Sequence, residues 1–400
     1  MLPEYPRPEL ERPQWQNLNG LWDYAIADAK ALSPPPWQGK ILVPFCIESS
    51  LSGVQKRFTG ANCLWYHRDF TAARPAGGGH LLLHFGACDW RTIVFLNGNL
   101  VGSHAGGYDP FTFDLTPFLG DGDAQNLAVQ VFDSTDEGEP MAGDDQDKPF
   151  PRNQSDQPRG KQALFADDPN YFFHNITYTP ASGIWQTVWL EEVPGQYVEQ
   201  LVVHPDVDSG SVEVTALTQG GAGPVTVIVQ GPDGRQLTDA SGPANAPVRL
   251  SVPDPQPWSP DQPTLYGLEV AFGPDRVRSY FGFRKVERRK DSHGVARFYL
   301  NNHPIFLYGP LDQGYWPDGI YTAPSDAALR YDLEVEKRFG FNCVRKHIKV
   351  EPARWYYWAD HLGLLVWQDF PALSPVLDIN HTLNRADFER PPAAKAQIEA

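Results

Sequence analysis
What most constrains the fold of this chain is a change of period along its length. Up to about residue 290 the apolar residues fall in short runs that alternate or cluster between Gly, Pro, Asn and Asp; after Gly294 strand-like runs alternate with stretches of helical spacing. The first pattern suits antiparallel sheets, in which side chains point alternately to two faces. The second implies βαβ units and a parallel sheet.

Within the first block, His80 to Phe85 and Thr92 to Leu96 are short apolar runs, and the second leads into Asn97-Gly98. Asn-Gly between apolar runs predicts a tight hairpin, because both turn positions need positive φ. Asn126 to Phe132 alternates with period two, and no helical spacing intrudes before about residue 200, which suits a jelly-roll sandwich. The polar stretch Glu137 to Gln162 is expected to be a solvated loop; its Asp144, Asp145 and Asp147 lack the spacing of a calcium loop. From Tyr197 to Glu287, runs such as Pro224 to Val229 and Val248 to Val252 fit a small Ig-like sandwich.

Past Gly294, Ile305 to Tyr308 is strand-like. Ser325 or Asp326 caps a helix with Ala328, Tyr331, Val335 and Phe339 on one face, ended by Gly340. Asn342 to Val350 is a second strand, Pro352 to Gly363 a helix carrying Trp355, Ala359 and Leu362, and Leu364 to Trp367 a third strand, with a further helix expected over Ala393 to Ala400.

Composition excludes several functions. The formal net charge of -16 argues against a nucleic-acid partner, since phosphate binding relies on a Lys/Arg surplus. No run approaches a membrane span, and MLPEYPRPELERPQW has no basic stretch followed by an apolar one, so neither membrane partner nor secretory signal is expected and a cytoplasmic location follows. Cys46, Cys63, Cys88 and Cys343 lack metal-ligand or redox spacing and are expected to be small buried hydrophobes. Twelve Trp and sixteen Tyr mostly fill cores, but such rings also stack on the apolar faces of sugars.

Several segments resemble the hallmarks of glycoside hydrolase family 2: Trp65 to Phe70, Phe95 to Gly98 with Val101 to His104, Gly106 to Phe111, Ser182 to Trp185 with Val188 to Glu191, Phe281 to Arg284, and Leu300 to Asn302. The resemblance implies a jelly-roll sugar-binding domain over 1–195, an Ig-like β-sandwich over 196–290, and over 291–400 the start of a (β/α)8 TIM barrel, incomplete here. Leu311 to Asp318 and Trp367 to Phe370 are similar to a bacterial branch distinct from the best-known β-galactosidases. Those carry an Arg and a His with two residues between them on the second barrel strand, where this chain has only Lys346 between Arg345 and His347. Thr177 stands where many members have an Asp before the Ser-Gly-Ile turn.

Retaining glycoside hydrolysis needs two carboxyl groups about 5 Å apart. The resemblance implies two glutamates on later barrel strands, one in an Asn-Glu pair; none occurs after Gly294, so both are expected beyond Ala400 and the chain alone is expected to be inactive. Barrel sites gather at the C-terminal ends of strands. Asp312, Gln313 and Trp316, then Arg345 and His347, then Trp367 and Asp369 are therefore the candidate substrate-binding residues, with Trp316 as an aromatic platform and Arg345 and Asp369 as an ion pair. Lys346 is expected on the opposite face, as a structural residue. No cofactor is implied, the partner is an oligosaccharide or glycoside, and a homo-oligomer is allowed. The Asn175 to Thr177 sequon carries no role in a bacterial-type chain. The alternative is a non-catalytic carbohydrate-binding protein with a vestigial barrel.

Overall fold
In the computed structural model, residues 2–57, 59–133 and 178–371 are described, with the backbone of the strands Thr135–Asp136 and Arg152–Asn153. The chain is mostly β-strand and multidomain. The rest of the expected Glu137 to Gln162 loop, Thr177, the Asn175 sequon and the helix expected over Ala393 to Ala400 lie outside the described residues.

The first unit stacks two antiparallel sheets. One has six strands, in the order Gly39–Val43, Gly20–Asp28, Asn62–Thr71, Ala124–Phe132, Arg91–Leu96 and Asn99–Ala105; the other has four, Trp15–Asn17, Val188–Val193, His80–Phe85 and Phe111–Asp114. The alternation seen in Asn126 to Phe132 places Leu127, Val129 and Val131 fully inside, against Trp22, Tyr66 and Leu83. The Asn97-Gly98 hairpin forms as its sequence predicts, with φ of 52° and 79° and Leu96 paired to Asn99. All four cysteines are free and buried.

The second unit packs a three-stranded sheet (Tyr197–Asp206, Ser211–Gln219, Val248–Ser251) on a four-stranded one (Gln236–Pro243, Pro224–Gln230, Tyr266–Phe272, Asp275–Phe281). Its core is β-branched and aromatic: Val212, Val214, Val225, Val227, Val229, Val270 and Phe272.

The third unit opens with a three-stranded antiparallel sheet, Val286–Lys290, Ala296–Leu300 and His303–Ile305. There follow β1 (Leu311–Asp312), α1 (Asp326–Arg338), β2 (Cys343–Lys346), α2 (Ala353–Leu362) and β3 (Leu365–Gln368), whose strands are all parallel. Three sequence expectations need correction here. The first parallel strand is not Ile305 to Tyr308: Ile305 ends the antiparallel sheet, and the parallel ladder begins only after Pro310, which has no N–H to give it. The second strand does not run to Val350, because Ile348 takes a φ of 43°, which bends the chain away after Lys346. On α1 the buried face is Asp326, Leu329 and Leu333, while Tyr331 and Phe339 are exposed. Ser325 caps α1 as expected, accepting from Ala328 N, and Trp355 and Ala359 of α2 pack on Leu329, Leu333 and Val344.

The three units are sewn together by the N-terminal segment. Arg12, 3% exposed, donates to Glu191 of the first sandwich at 2.7 Å and to Asp275 of the second at 2.8 and 3.1 Å. Tyr5 and Arg7 also donate to Glu191. From the third unit Arg354 reaches the Tyr5 carbonyl at 3.2 Å, and Trp258 of the second sandwich donates to the Asp360 carbonyl in α2 at 2.7 Å.

Burial by itself would raise the Glu191 pKa, but the charges of Arg7 and Arg12 outweigh it and hold the carboxyl at about 2, below its ordinary 4.5. The stabilisation it contributes is therefore whole above pH 4.5 and is lost as the pH falls through about 2. Glu191→Gln strands two guanidinium groups and should cost about 3–5 kcal/mol at pH 7. Urea unfolding followed from pH 7 to pH 3 should show that deficit narrowing once the pH drops below 4.5; a constant deficit would mean that charge is not what Glu191 supplies.

Candidate functional site
Cross-strand register decides which candidate side chains share a face. Leu311, Arg345 and Trp367 are direct partners across β1, β2 and β3, and Asp312, Lys346 and Gln368 form the neighbouring row. Successive residues of a strand point to opposite faces, so the two rows diverge. The Lys346 row faces the helices: Lys346 is 1% exposed and its ammonium lies over the Trp355 ring of α2 at 4.3 Å. The Arg345 row is open, with Leu311, Arg345 and Trp367 each about half exposed.

The seven expected residues therefore fall into two groups. On the open face Arg345 and Asp369 form the expected ion pair, Nη2 to Oδ2 at 2.9 Å. Beside it His347 Nδ1 lies 2.8 Å from Gln313 Oε1, so Nδ1–H donates. Trp367 meets Phe298 edge to face at 5.7 Å. Asp312 belongs to the other face, where it accepts from Lys346 and from Gly314 N. Trp316 packs against the Leu329 and Trp355 cluster and, with Asp312, Gln313 and Lys346, lines a cavity of about 120 Å³. The structure thus brings together Gln313, Arg345, His347, Trp367 and Asp369, and leaves Asp312 and Trp316 behind them.

Two residues missed by sequence reasoning organise the strand ends. Lys349, fully buried, donates to the carbonyls of Gly314 at 2.6 Å and Tyr321 at 2.8 Å, and to Glu351 Oε2 at 3.0 Å. Glu351 Oε1 accepts from Lys346 at 2.8 Å, so one carboxylate serves two ammonium groups. Burial pushes the Lys349 pKa down; for Lys346 burial is outweighed by the charges of Glu351 and Asp312, and its pKa rises. The available signal was a Lys and a Glu two apart in an otherwise apolar run (Ile348 to Pro352), which puts both on one side of an extended chain.

A further set of carboxylates lies in the first sandwich. Ser182 N donates to Glu48 at 2.9 Å and Ser182 Oγ to Asp133 at 2.7 Å. Burial, helped by the charge of Asp133, pushes the Asp89 carboxyl well up, and burial takes Glu48 to about 8. This set borders the third unit, where the single proton of Thr322 Oγ1 is shared between the Trp185 and Pro44 carbonyls and Tyr315 OH clasps the backbone of Thr179. Among the described residues, no group of three or more His, Cys, Asp and Glu is placed to hold a metal ion, and no helix is long and apolar enough to cross a membrane.

Comparison with known proteins agrees with this architecture. Residues 43–150 match the description "Glycosyl hydrolases family 2, sugar binding domain", and residues 196–284 match "Glycosyl hydrolases family 2". A β-galactosidase of Thermoanaerobacter pseudethanolicus is 26% identical over 79% of this chain and 40% of its own length; a putative β-glucuronidase of Formosa agariphila is 26% identical over 89% and 41%. The solved β-glucuronidase of Faecalibacterium prausnitzii, 24% identical, superposes with a TM-score of 0.72 over 92% of this chain and 61% of that one. The fold is that of multidomain, β-rich glycosidases. The chain belongs to glycosyl hydrolase family 2 and carries the family's N-terminal part. It spans about four-tenths of the length of the two relatives named first.

The two ion pairs of the parallel sheet should respond differently to substitution. Lys346→Met leaves Asp312 and Glu351 short of a buried partner and should cost about 3–5 kcal/mol. Asp369→Asn breaks a pair whose Arg345 is 54% exposed and should cost no more than about 1 kcal/mol. Urea titration of both variants checks the contrast, and equal costs would refute the division into a buried and an open face.

Proposed function
We propose that this chain is the N-terminal portion of a retaining β-glycosidase that hydrolyses O-glycosidic bonds. In this reading residues 1–195 are the jelly-roll sugar-binding domain, 196–290 an Ig-like sandwich, and 291–400 the opening of a (β/α)8 barrel. The observation that carries it is the parallel sheet β1–β2–β3, with helices on one face and on the other a row of polar and aromatic side chains at its C-terminal ends. Barrel enzymes place their sites there.

The chain's own residues bind and orient. Arg345, held by Asp369, presents guanidinium N–H groups to sugar hydroxyls, and the Asp369 carboxylate accepts from them. The His347 ring is fixed by Gln313 beside this pair and supplies a further polar group for a sugar hydroxyl. Trp367 offers an exposed ring for the apolar face of a sugar. Asp312 and Trp316, on the helix side, support the strand-end loop that carries Gln313. The two catalytic glutamates of the retaining reaction are assigned to later strands, beyond Ala400. The relatives are named β-galactosidases and β-glucuronidases, so β-glycosides are the substrate class; Lys346 between Arg345 and His347 sets this strand apart from that of the best-known β-galactosidases.

Two assays test this proposal. The 400-residue chain should turn over no aryl β-glycoside, whereas the gene product that includes the following strands should hydrolyse one. In that product Arg345→Ala should lower kcat/KM at least tenfold, about 1.4 kcal/mol. Glycan binding with no turnover by the complete product would instead favour the carbohydrate-binding protein.

A further inference from the structure
The loop from Gln313 to Thr322 joins β1 to α1, and both its ends are held in ways the proposed reaction does not call for. At its start Gly314 adopts a φ of +58° and is packed so tightly that a Cβ there would lie 2.1 Å from Glu351 Oε1 and 3.1 Å from Lys346 Nζ. Only glycine fits against the charged knot at that point. At its end Tyr321 packs edge to face on Trp185 of the first sandwich, and Thr322 is bonded to the Trp185 and Pro44 carbonyls. In between, Tyr315 OH accepts from Thr179 N at 2.7 Å.

Lys349 closes this loop. Its three ammonium protons go to Gly314 O, Tyr321 O and Glu351, so a single buried charge joins the loop's two ends, and no donor is left over. The same ammonium lies 5.4 Å over the Trp185 ring and 5.0 Å over Tyr321. Glu351 then connects Lys349 to Lys346, whose other partner is Asp312, the last residue of β1. The residue between Asp312 and Gly314 is Gln313, which contacts His347. Gln313 is thus fixed on both sides by groups whose positions the knot determines.

We propose that Lys349 and Glu351 are positioning residues that set the 313–322 loop against the sugar-binding domain, and so determine how the Gln313–His347 pair meets a sugar. This deepens the reading above and, for its catalytic consequence, rests on it. Substrate affinity at the strand ends then depends on contacts made by the first sandwich, through Tyr315 and Thr322, although no side chain of that sandwich is assigned to the sugar. Partly desolvated ions favour one arrangement of this loop because any displacement leaves a buried charge without its partner.

Two variants test the proposal by different routes. Glu351→Gln keeps the shape but removes the charge between the lysines, and Tyr315→Phe removes only the hydroxyl that clasps Thr179. In the 400-residue chain labelled with [15N]histidine, the His347 ring signals, identified by their loss in His347→Gln, should shift in both variants. In the complete gene product, KM for the preferred p-nitrophenyl β-galactoside or β-glucuronide should rise at least fivefold in Glu351→Gln, with kcat within twofold, and should rise less but in the same direction in Tyr315→Phe. Unmoved His347 signals and KM alongside a lowered Tm would make the network merely structural and overturn the proposal. Should Glu351→Gln fail to fold, Tyr315→Phe decides alone. A complete gene product with no turnover would sink the glycosidase reading, and the His347 signals would still decide the positioning role.

Discussion
The guanidinium of Arg12 is the contact on which the relative placement of the units depends. It is buried between carboxylates that belong to different sandwiches, with Glu191 on one side and a two-pronged contact to Asp275 on the other. Arg7 brings a second positive charge to Glu191, so two cations face two anions and the knot is neutral. A neutral, closely paired cluster is tolerable in a low-dielectric interior, whereas the loss of any one member is not. The knot sits at the junction of the two sandwiches, which are joined there by a short connection between Val193 and Tyr197. Without it, that connection would have to hold two sandwiches at a fixed angle by itself.

A second neutral knot does for the third unit what Arg12 does for the first two. Lys346 and Lys349 face Asp312 and Glu351, all in or near the helix side of the parallel sheet. Both knots have a cationic side chain interacting with an aromatic ring or carbonyl as well as with carboxylates. The N-terminal segment links the two systems: Arg354 bonds the Tyr5 carbonyl and Asp326 at the start of α1, while Tyr5 donates to Glu191. Directional contacts of this kind add little net stability over apolar packing of equal volume, but they penalise every other arrangement. Together they select one arrangement of the three units.

Much of the fold was legible because it follows from local chemistry. The Asn97-Gly98 turn, the period-two strand from Asn126 to Phe132 and the Ser325 cap each depend on a few adjacent residues, and each forms as its sequence predicts. Legibility failed where a distant contact overrode the local signal. Ile305 to Tyr308 has the composition of a strand, but Ile305 is claimed by Phe298 in the preceding sheet, and Pro310 delays the parallel ladder. Ile348 takes a positive φ that no β-branched residue would adopt unprompted, and it is this bend that turns Lys349 and Glu351 inward. Their spacing in an apolar run was visible in the sequence, but their roles were not, since these are defined by Gly314 and Tyr321, about 30 residues earlier. For the same reason Asp312 was grouped with Arg345: nearness in sequence to a strand end does not say which face a side chain takes.

The open face of the parallel sheet shows why its upper end, and not its base, is the part suited to chemistry. At the base Cys343 pairs with Leu365, an apolar level with Cys343 buried. One level up Leu311, Arg345 and Trp367 form a mixed row, and above it stand Gln313, His347 and Asp369, all polar. Barrel interiors that serve only as packing are filled with layers of bulky branched residues. Here the layers change from apolar to polar within two steps, toward the C-terminal ends of the strands. Arg345 belongs to the middle layer yet bonds Asp369 in the upper one, so the charge it carries is delivered upward. A row selected for packing alone would have no use for that reach, because an exposed ion pair contributes at most about 1 kcal/mol. The arrangement costs the sheet apolar contact in its middle layer, and what it obtains in exchange is a fixed donor and acceptor at the C-terminal ends of the strands.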